Sequence, residues 1–185
     1  MSPFGPCYLL LITASVDYWA PGDCYSNGKV DVVCDDMVPY HGFPSQTTPA
    51  PYHLKTNATM FGPTDRIKVT LFGTTDFQGF FLQARDTAVE NSGFAVGTFT
   101  LTDPLQTQLL TCHEQQDSAV SHTSDDKKTE VVVIWNPPAD APQQIQFFVT
   151  VVTNYSVFWV KLPGPIISQH GSSPHPQSES TLPSA

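Results

Sequence analysis

Between residues 54 and 161 apolar and polar side chains repeatedly alternate with a period of two, and that period restricts the fold more than any other feature. Ile67, Val69 and Leu71 alternate with Arg66, Lys68 and Thr70, and Ile145, Phe147, Val149 and Val151 alternate with Gln144, Gln146, Phe148 and Thr150. Successive side chains of an extended chain point to opposite faces, so each run predicts a half-buried strand. Residues 131–135 are apolar throughout, which predicts a strand covered on both faces. Residues 54–61, 80–85, 94–101, 109–113 and 155–161 are further candidates. Turn signals separate them at Gly62-Pro63-Thr64-Asp65, Gln78-Gly79, Asn91-Ser92-Gly93, Asn136-Pro137-Pro138 and Thr153-Asn154. The last is short enough for a tight hairpin joining 144–152 to 155–161. The stretch through Ala119-Val120-Ser121-His122 reads as a polar loop before the strand that follows Lys127.

No useful apolar stripe has helical spacing, and 17 prolines with only 14% charged residues point to strands and turns rather than a bundle. The expected fold is therefore all-β: an immunoglobulin-like antiparallel β-sandwich of 7–9 strands. Most of the aromatic side chains should form its core. Phe148 and Phe158 fall on the opposite parity to their neighbours, so they face either a second layer or an exposed patch.

With 17 acidic residues against 8 basic ones the net charge is -9, which argues against nucleic acid and against a polybasic membrane surface. No apolar run approaches the roughly 20 residues of a membrane-spanning helix. Residues 1–20 are expected to be a signal peptide, cut between Ala14 and Ala20, although Met1 to Cys7 contains no Lys or Arg. The folded domain is expected over 25–162, and the Pro- and Ser-rich residues 163–185 as a disordered linker or tail. Removal of the signal takes Cys7 and leaves Cys24, Cys34 and Cys112, an odd number. No Cys/His zinc spacing is present.

Catalytic signatures are missing from the sequence. There is no Gly-x-Ser-x-Gly elbow, no HExxH and no phosphate-cradling loop. Asp35-Asp36 and Asp125-Asp126 are adjacent pairs, and neighbours in extended chain diverge, which disfavours a shared-proton dyad. Asp125-Asp126-Lys127-Lys128 is most simply a solvated turn. Arg85, beside Asp86, reads as a structural salt bridge at a strand end, with anion or glycan capture as the functional alternative. Asn57-Ala58-Thr59 and Asn154-Tyr155-Ser156 are glycosylation sequons, placing candidate glycans on Asn57 and Asn154.

Several spaced tokens together carry a family resemblance. Cys34-x-x-Met37-x-Pro39-x-His41, Gln46 and Tyr52 come first, then Met60 through Pro63, Asp65, Ile67, Val69 and Leu71 to Gly73. Gly79-Phe80-x-Leu82-x-Ala84-Arg85, Gly97-Thr98-Phe99, Leu110-x-Cys112, Val120-x-His122 and Trp135-x-x-Pro138 follow. Over residues 28 to about 169 this order resembles the reeler domain. The end, from Phe147 through Trp159-Val160-Lys161 to Gln169, looks most like the N-terminal region of ferric-chelate reductase 1-type proteins.

The resemblance implies an extracellular sandwich held by a disulfide, whose matching positions are Cys34 and Cys112; Cys24 is then the odd thiol. With that bridge formed, His41 and His122 could approach, and a paired-histidine metal site with Asp35 or Asp36 is conceivable. The plainer reading is histidines hydrogen-bonded to loop backbone. The function implied is a non-catalytic extracellular recognition or structural module of a ferric-chelate reductase-like protein, with an unknown extracellular ligand. No cofactor is expected in this chain; haem b belongs to the downstream membrane region of the reductase relatives. The alternatives are a fragment of that membrane oxidoreductase, or a free secreted defence protein that binds microbial surfaces.

Overall fold

The computed structural model describes residues 26–89 and 94–171. The expected signal peptide 1–20, Cys7, Cys24, the expected turn at Asn91-Ser92-Gly93 and residues 172–185 of the expected tail lie outside the described residues. The fold is an all-β sandwich of two sheets. Its strands are β1 (Tyr52–Thr56), β2 (Met60–Phe61), β3 (Ile67–Phe77), β4 (Gly79–Asp86), β5 (Thr98–Leu101), β6 (Thr107–Cys112), β7 (Gln115–His122), β8 (Lys128–Asn136), β9 (Gln144–Asn154) and β10 (Val157–Gln169). One sheet has the order β1-β3-β8-β5, the other β2-β10-β9-β4-β7-β6. Every pairing is antiparallel except the short contact of β2 with β10, which is parallel. Ile67, Leu71, Trp135, Phe147, Val149 and Phe61 meet in the core between the sheets. Trp135 is fully buried, meets Phe61 and Phe147 edge-on, and donates Nε1–H to the Val96 carbonyl at 2.8 Å.

Five expectations are corrected. The segment read as a polar loop is strand β7, which forms a hairpin with β6. Its two turn residues, His113 and Glu114, both have positive φ (51° and 63°), as a primed two-residue turn requires. Neither is the Asn or Gly that normally announces such a turn, so the hairpin carries no sequence signal. Second, the expected strand 54–61 divides into β1 and β2 around Asn57, whose N–H and Oδ1 both bond the Lys68 backbone. These changes give ten strands, counting the two-residue β2.

Third, β8 is covered on one face only: Val131, Val133 and Trp135 are buried while Val132 and Ile134 are partly exposed. The strand covered on both faces is β4, buried at every position from Gly79 to Arg85. Fourth, the composition change at Pro163 does not end the sheet, because β10 continues through Pro163 and Pro165 to Gln169. Proline lacks an N–H and belongs at sheet edges or bulges. β10 satisfies this condition: β2 pairs with it only at Ser168 and Gln169, and its register with β9 shifts at Trp159/Leu162 and Pro163/Ile166. The predicted hairpin also moves by two residues, since Asn154 pairs with Val157 and the turn is Tyr155-Ser156.

Candidate functional site

The second face of the six-stranded sheet is covered by the chain that precedes β1. Val30 to His41 forms a strap containing one 3-10 turn, Asp31–Val33. It lays Val33, Cys34 and Met37 against Phe81, Leu110, Cys112, Ala119 and Phe148 in a second apolar cluster. Phe148 and the fully buried Phe158 therefore face a second layer, not an exposed patch.

Polar groups fix the strap at successive points. The disulfide Cys34–Cys112 ties it to the end of β6. Arg85, only 4% exposed, donates from its guanidinium to the carbonyls of Cys34 (2.7 Å) and Asp35 (2.9 Å) and to Gln83 Oε1. Its role is thus to clamp the strap to β4, and Asp86 instead accepts from the Ala88 N–H. Thr150 Oγ1 donates to the Met37 carbonyl at 2.7 Å. His41 Nδ1 donates to the Tyr155 carbonyl at 2.8 Å, its ring stacks on Tyr155 with centroids 4.7 Å apart, and Phe158 meets its edge.

Between the strap and the sheet lies a pocket of about 220 Å³. Val30, Val33 and Met37 form its strap side, Phe80, Phe81 and Val152 its sheet side. His41 and Tyr155 stand at one wall, and Gly79, His122 and Asp125 at another. Gly79 must lack a side chain, because a Cβ there would lie 2.9 Å from His122 Cε1. His122 Nδ1 accepts from the Phe80 N–H at 3.2 Å. Asp125 is carried by a loop that Lys128 organises from inside. That ammonium is buried and donates to the carbonyls of Gln78, Ser124 and Asp126 at 2.6–3.0 Å. Burial pushes its pKa down, and Asp126 and Asp125 oppose that shift. The turn read as solvated exposes Asp125, Asp126 and Lys127, with Lys127 reaching Asp76 in solvent, and only Lys128 departs from that reading by turning inward to hold the loop.

The structure brings the predicted His41 and His122 to one pocket but does not bring them the predicted carboxylates. Asp35 pairs with His113 at 2.7 Å and Asp36 accepts from Tyr40 and from the Val38 N–H. Among the described residues no group of three or more His, Cys, Asp or Glu could hold a metal ion. Asn57 and Asn154 are both exposed, and Asn154 Oδ1 accepts from the Ser156 N–H and hydroxyl in a local turn.

Burial lowers the pKa of His41, against the opposing effect of its bond to the Tyr155 carbonyl. The folded value lies below the unfolded one, so acid favours the unfolded chain, which takes up the proton more readily. The stability gained by keeping this ring neutral is complete above about pH 6.5 and is lost as pH falls from there towards the folded value. The thermal midpoint should therefore drop between pH 7.5 and pH 5, and His41→Gln should drop less. Equal slopes for the two proteins would reject the assignment.

Comparison with known proteins gives a consistent family. The family model described as Reeler domain matches residues 32–175. Ferric-chelate reductase 1 of Bos taurus is 48% identical over 158 residues, 85% of this chain and 26% of its own length. Ferric-chelate reductase 1 of Homo sapiens is 46% identical over 178 residues, covering 96% of this chain and 28% of its own. The chain thus spans about a quarter of the length of these reductases. A protein of Hyphantria cunea named "Putative defense protein Hdd11" is 38% identical over 144 residues, covering 74% of this chain and 83% of its own. The human F-spondin reeler domain superposes with a TM-score of 0.59 at 19% identity, over 69% of this chain and 95% of that one, a likeness of fold.

Proposed function

The chain belongs to the reeler-domain family, and from that premise we propose that it is an extracellular, non-catalytic recognition module of a ferric-chelate reductase-like protein. The observation that carries this reading is the coverage. Identity of 46% extends over 96% of this chain yet reaches only 28% of the human reductase. A shared module occupying a quarter of an enzyme is a separable part, and function must be argued from its site and not from its fold. The site is an apolar pocket under a strap, and the serine beside its His122, Ser121, is fully buried with its hydroxyl donated to the Phe80 carbonyl at 2.9 Å. In a longer protein of this kind, haem b and the electron transfer would lie in another region. The disulfide supports an oxidising, extracellular setting, and glycans on Asn57 and Asn154 fit the exposure of both residues.

A second reading, a free secreted defence protein, is favoured by a different coverage: the chain accounts for 83% of the Hyphantria cunea protein. Both readings make the domain itself redox-silent. The purified 185-residue chain, titrated with haem and with ferric citrate plus a reductant, should show no Soret band of bound haem and no acceleration of iron reduction. A stoichiometric Soret band or catalysed reduction would overturn the reading.

A further inference from the structure

We propose that the pocket beneath the strap binds one small, uncharged aromatic molecule carrying a hydrogen-bond donor, about the size of two fused rings. This rests on reading the chain as a recognition module and names the ligand class of its site. Size is the first argument. An apolar cavity of about 150 Å³ accepts benzene, and pockets for drug-sized ligands start at about 300 Å³. A pocket of about 220 Å³ lies between them.

Shape and chemistry agree with a flat ring. The Tyr155 ring, stacked on His41, stands at one wall, and the Phe81 ring, packed with the strap, stands at another. Such faces favour offset-stacked or edge-on aromatic partners. Met37 opposite them is unbranched, and its polarisable thioether adapts to a ring. Polar capacity is scarce there. Thr150 Oγ1 already donates to the Met37 carbonyl and accepts from the Lys161 N–H. His41 Nδ1 donates to a carbonyl, so it carries the ring proton and leaves Nε2 of the neutral imidazole as an acceptor. A hydroxyl or N–H on the ligand satisfies that acceptor.

Charge decides against an acid of the same size. Asp125 stands at the pocket wall, the chain has a net charge of -9, and no Lys or Arg lines the pocket. A carboxylate entering it would lose water without gaining a cationic partner.

The test uses a matched pair, 2-naphthol and 2-naphthoate, and the full chain at pH 7.4, read by calorimetry and by methyl NMR of the methionines. Saturable one-to-one binding of 2-naphthol is expected, with 2-naphthoate weaker by about tenfold or more for want of a cation. The Met37 methyl should shift while that of the exposed Met60 stays. Val152→Trp fills the pocket and should abolish binding, and Tyr155→Ala, which removes the ring stacked on His41, should weaken it several-fold with only a modest drop in the thermal midpoint. Phe94→Ser, at an exposed aromatic away from the pocket, should leave it unchanged. No saturable binding, equal binding of the acid, or a Met37 methyl that does not move would overturn the proposal. None of these results bears on haem or iron, so redox silence is judged separately by its own spectrum.

Discussion

Replacing Cys112 by Ala should lower the unfolding free energy by several kcal/mol, the largest loss expected from any single side chain here. Cys34 and Cys112 are 78 residues apart in sequence. Cross-linking a loop of that length removes unfolded-state entropy equivalent to about 4.5 kcal/mol, and removal of native bridges from secreted domains costs about 2–5 kcal/mol. A domain with a total stability of about 5–15 kcal/mol cannot lose this much without a clear change in its unfolding midpoint. The loss should also be local. Arg85 and Thr150 would still hold the strap at Cys34, Asp35 and Met37, so the strap should fray before the sandwich opens. Urea unfolding of Cys112→Ala and of the Cys34→Ala/Cys112→Ala double variant checks this. The two should agree within about 0.5 kcal/mol, because the second change removes a sulfur that has already lost its partner. A midpoint like that of the unmodified chain would reject the bridge as a stabilising element.

The sandwich was legible because its central strands obey the period of two. Ile67, Val69 and Leu71 are buried in β3, and Ile145, Phe147 and Val149 in β9, as their alternation requires. β8 was misjudged because an apolar run records only that nothing polar is there. Val132 and Ile134 lie on the outer face of a four-stranded sheet and remain partly exposed. The strand covered on both faces, β4, contains Gln83 and Arg85, which look like surface residues in sequence. Both are buried beneath the strap with their polar groups engaged: Gln83 Nε2 donates to Cys112 Sγ at the β6 end of the disulfide, and Arg85 to two strap carbonyls. β7 was invisible for the local reason already given, a primed turn built from His113 and Glu114.

The site was only partly legible. Resemblance supplied the Cys34–Cys112 pair, and His41 and His122 were singled out for sharing the loops that the bridge would bring together. They do share a pocket, yet the carboxylates expected beside them are engaged elsewhere. No sequence pattern shows that residues 30–41 lie across the outer face of a sheet. The strap has no period of its own, and its contacts with Phe81, Thr150 and Tyr155 span roughly 50 to 115 residues of chain. One available signal was Phe148 and Phe158, whose wrong-face parity allowed either a second layer or an exposed patch and did not say what would form the layer. The pocket is a product of that layer and could not be read before it.

Arg85→Met should be nearly as damaging as loss of the bridge, by a different route. Methionine keeps the apolar stem but leaves the carbonyls of Cys34 and Asp35, and Gln83 Oε1, without this donor. Each buried acceptor left unsatisfied costs about 1–3 kcal/mol. Burial disfavours the charge of Arg85 and pulls its pKa below the ordinary guanidinium value, while Asp35 and Asp36 support it. Removing the charge recovers that desolvation cost, so the net loss should be about 3 kcal/mol and not the sum of three acceptors. Arg85→Lys should recover only part of it, because one ammonium cannot reproduce the planar fork that reaches two carbonyls and an amide oxygen together. Hydrogen exchange gives the decisive readout. The Met37 amide, bonded to the Val33 carbonyl at 2.8 Å within the strap, should exchange faster in Arg85→Met by a factor of about 100 if its protection reflects a strap opening eased by roughly 3 kcal/mol. The Val133 amide, in the centre of β8 and paired with Val69, should lose protection only as far as global stability falls. Equal acceleration at both amides would mean that Arg85 supports the whole sandwich. Unchanged exchange at Met37 would mean that the strap does not depend on Arg85 and is held by the disulfide, Thr150 and His41.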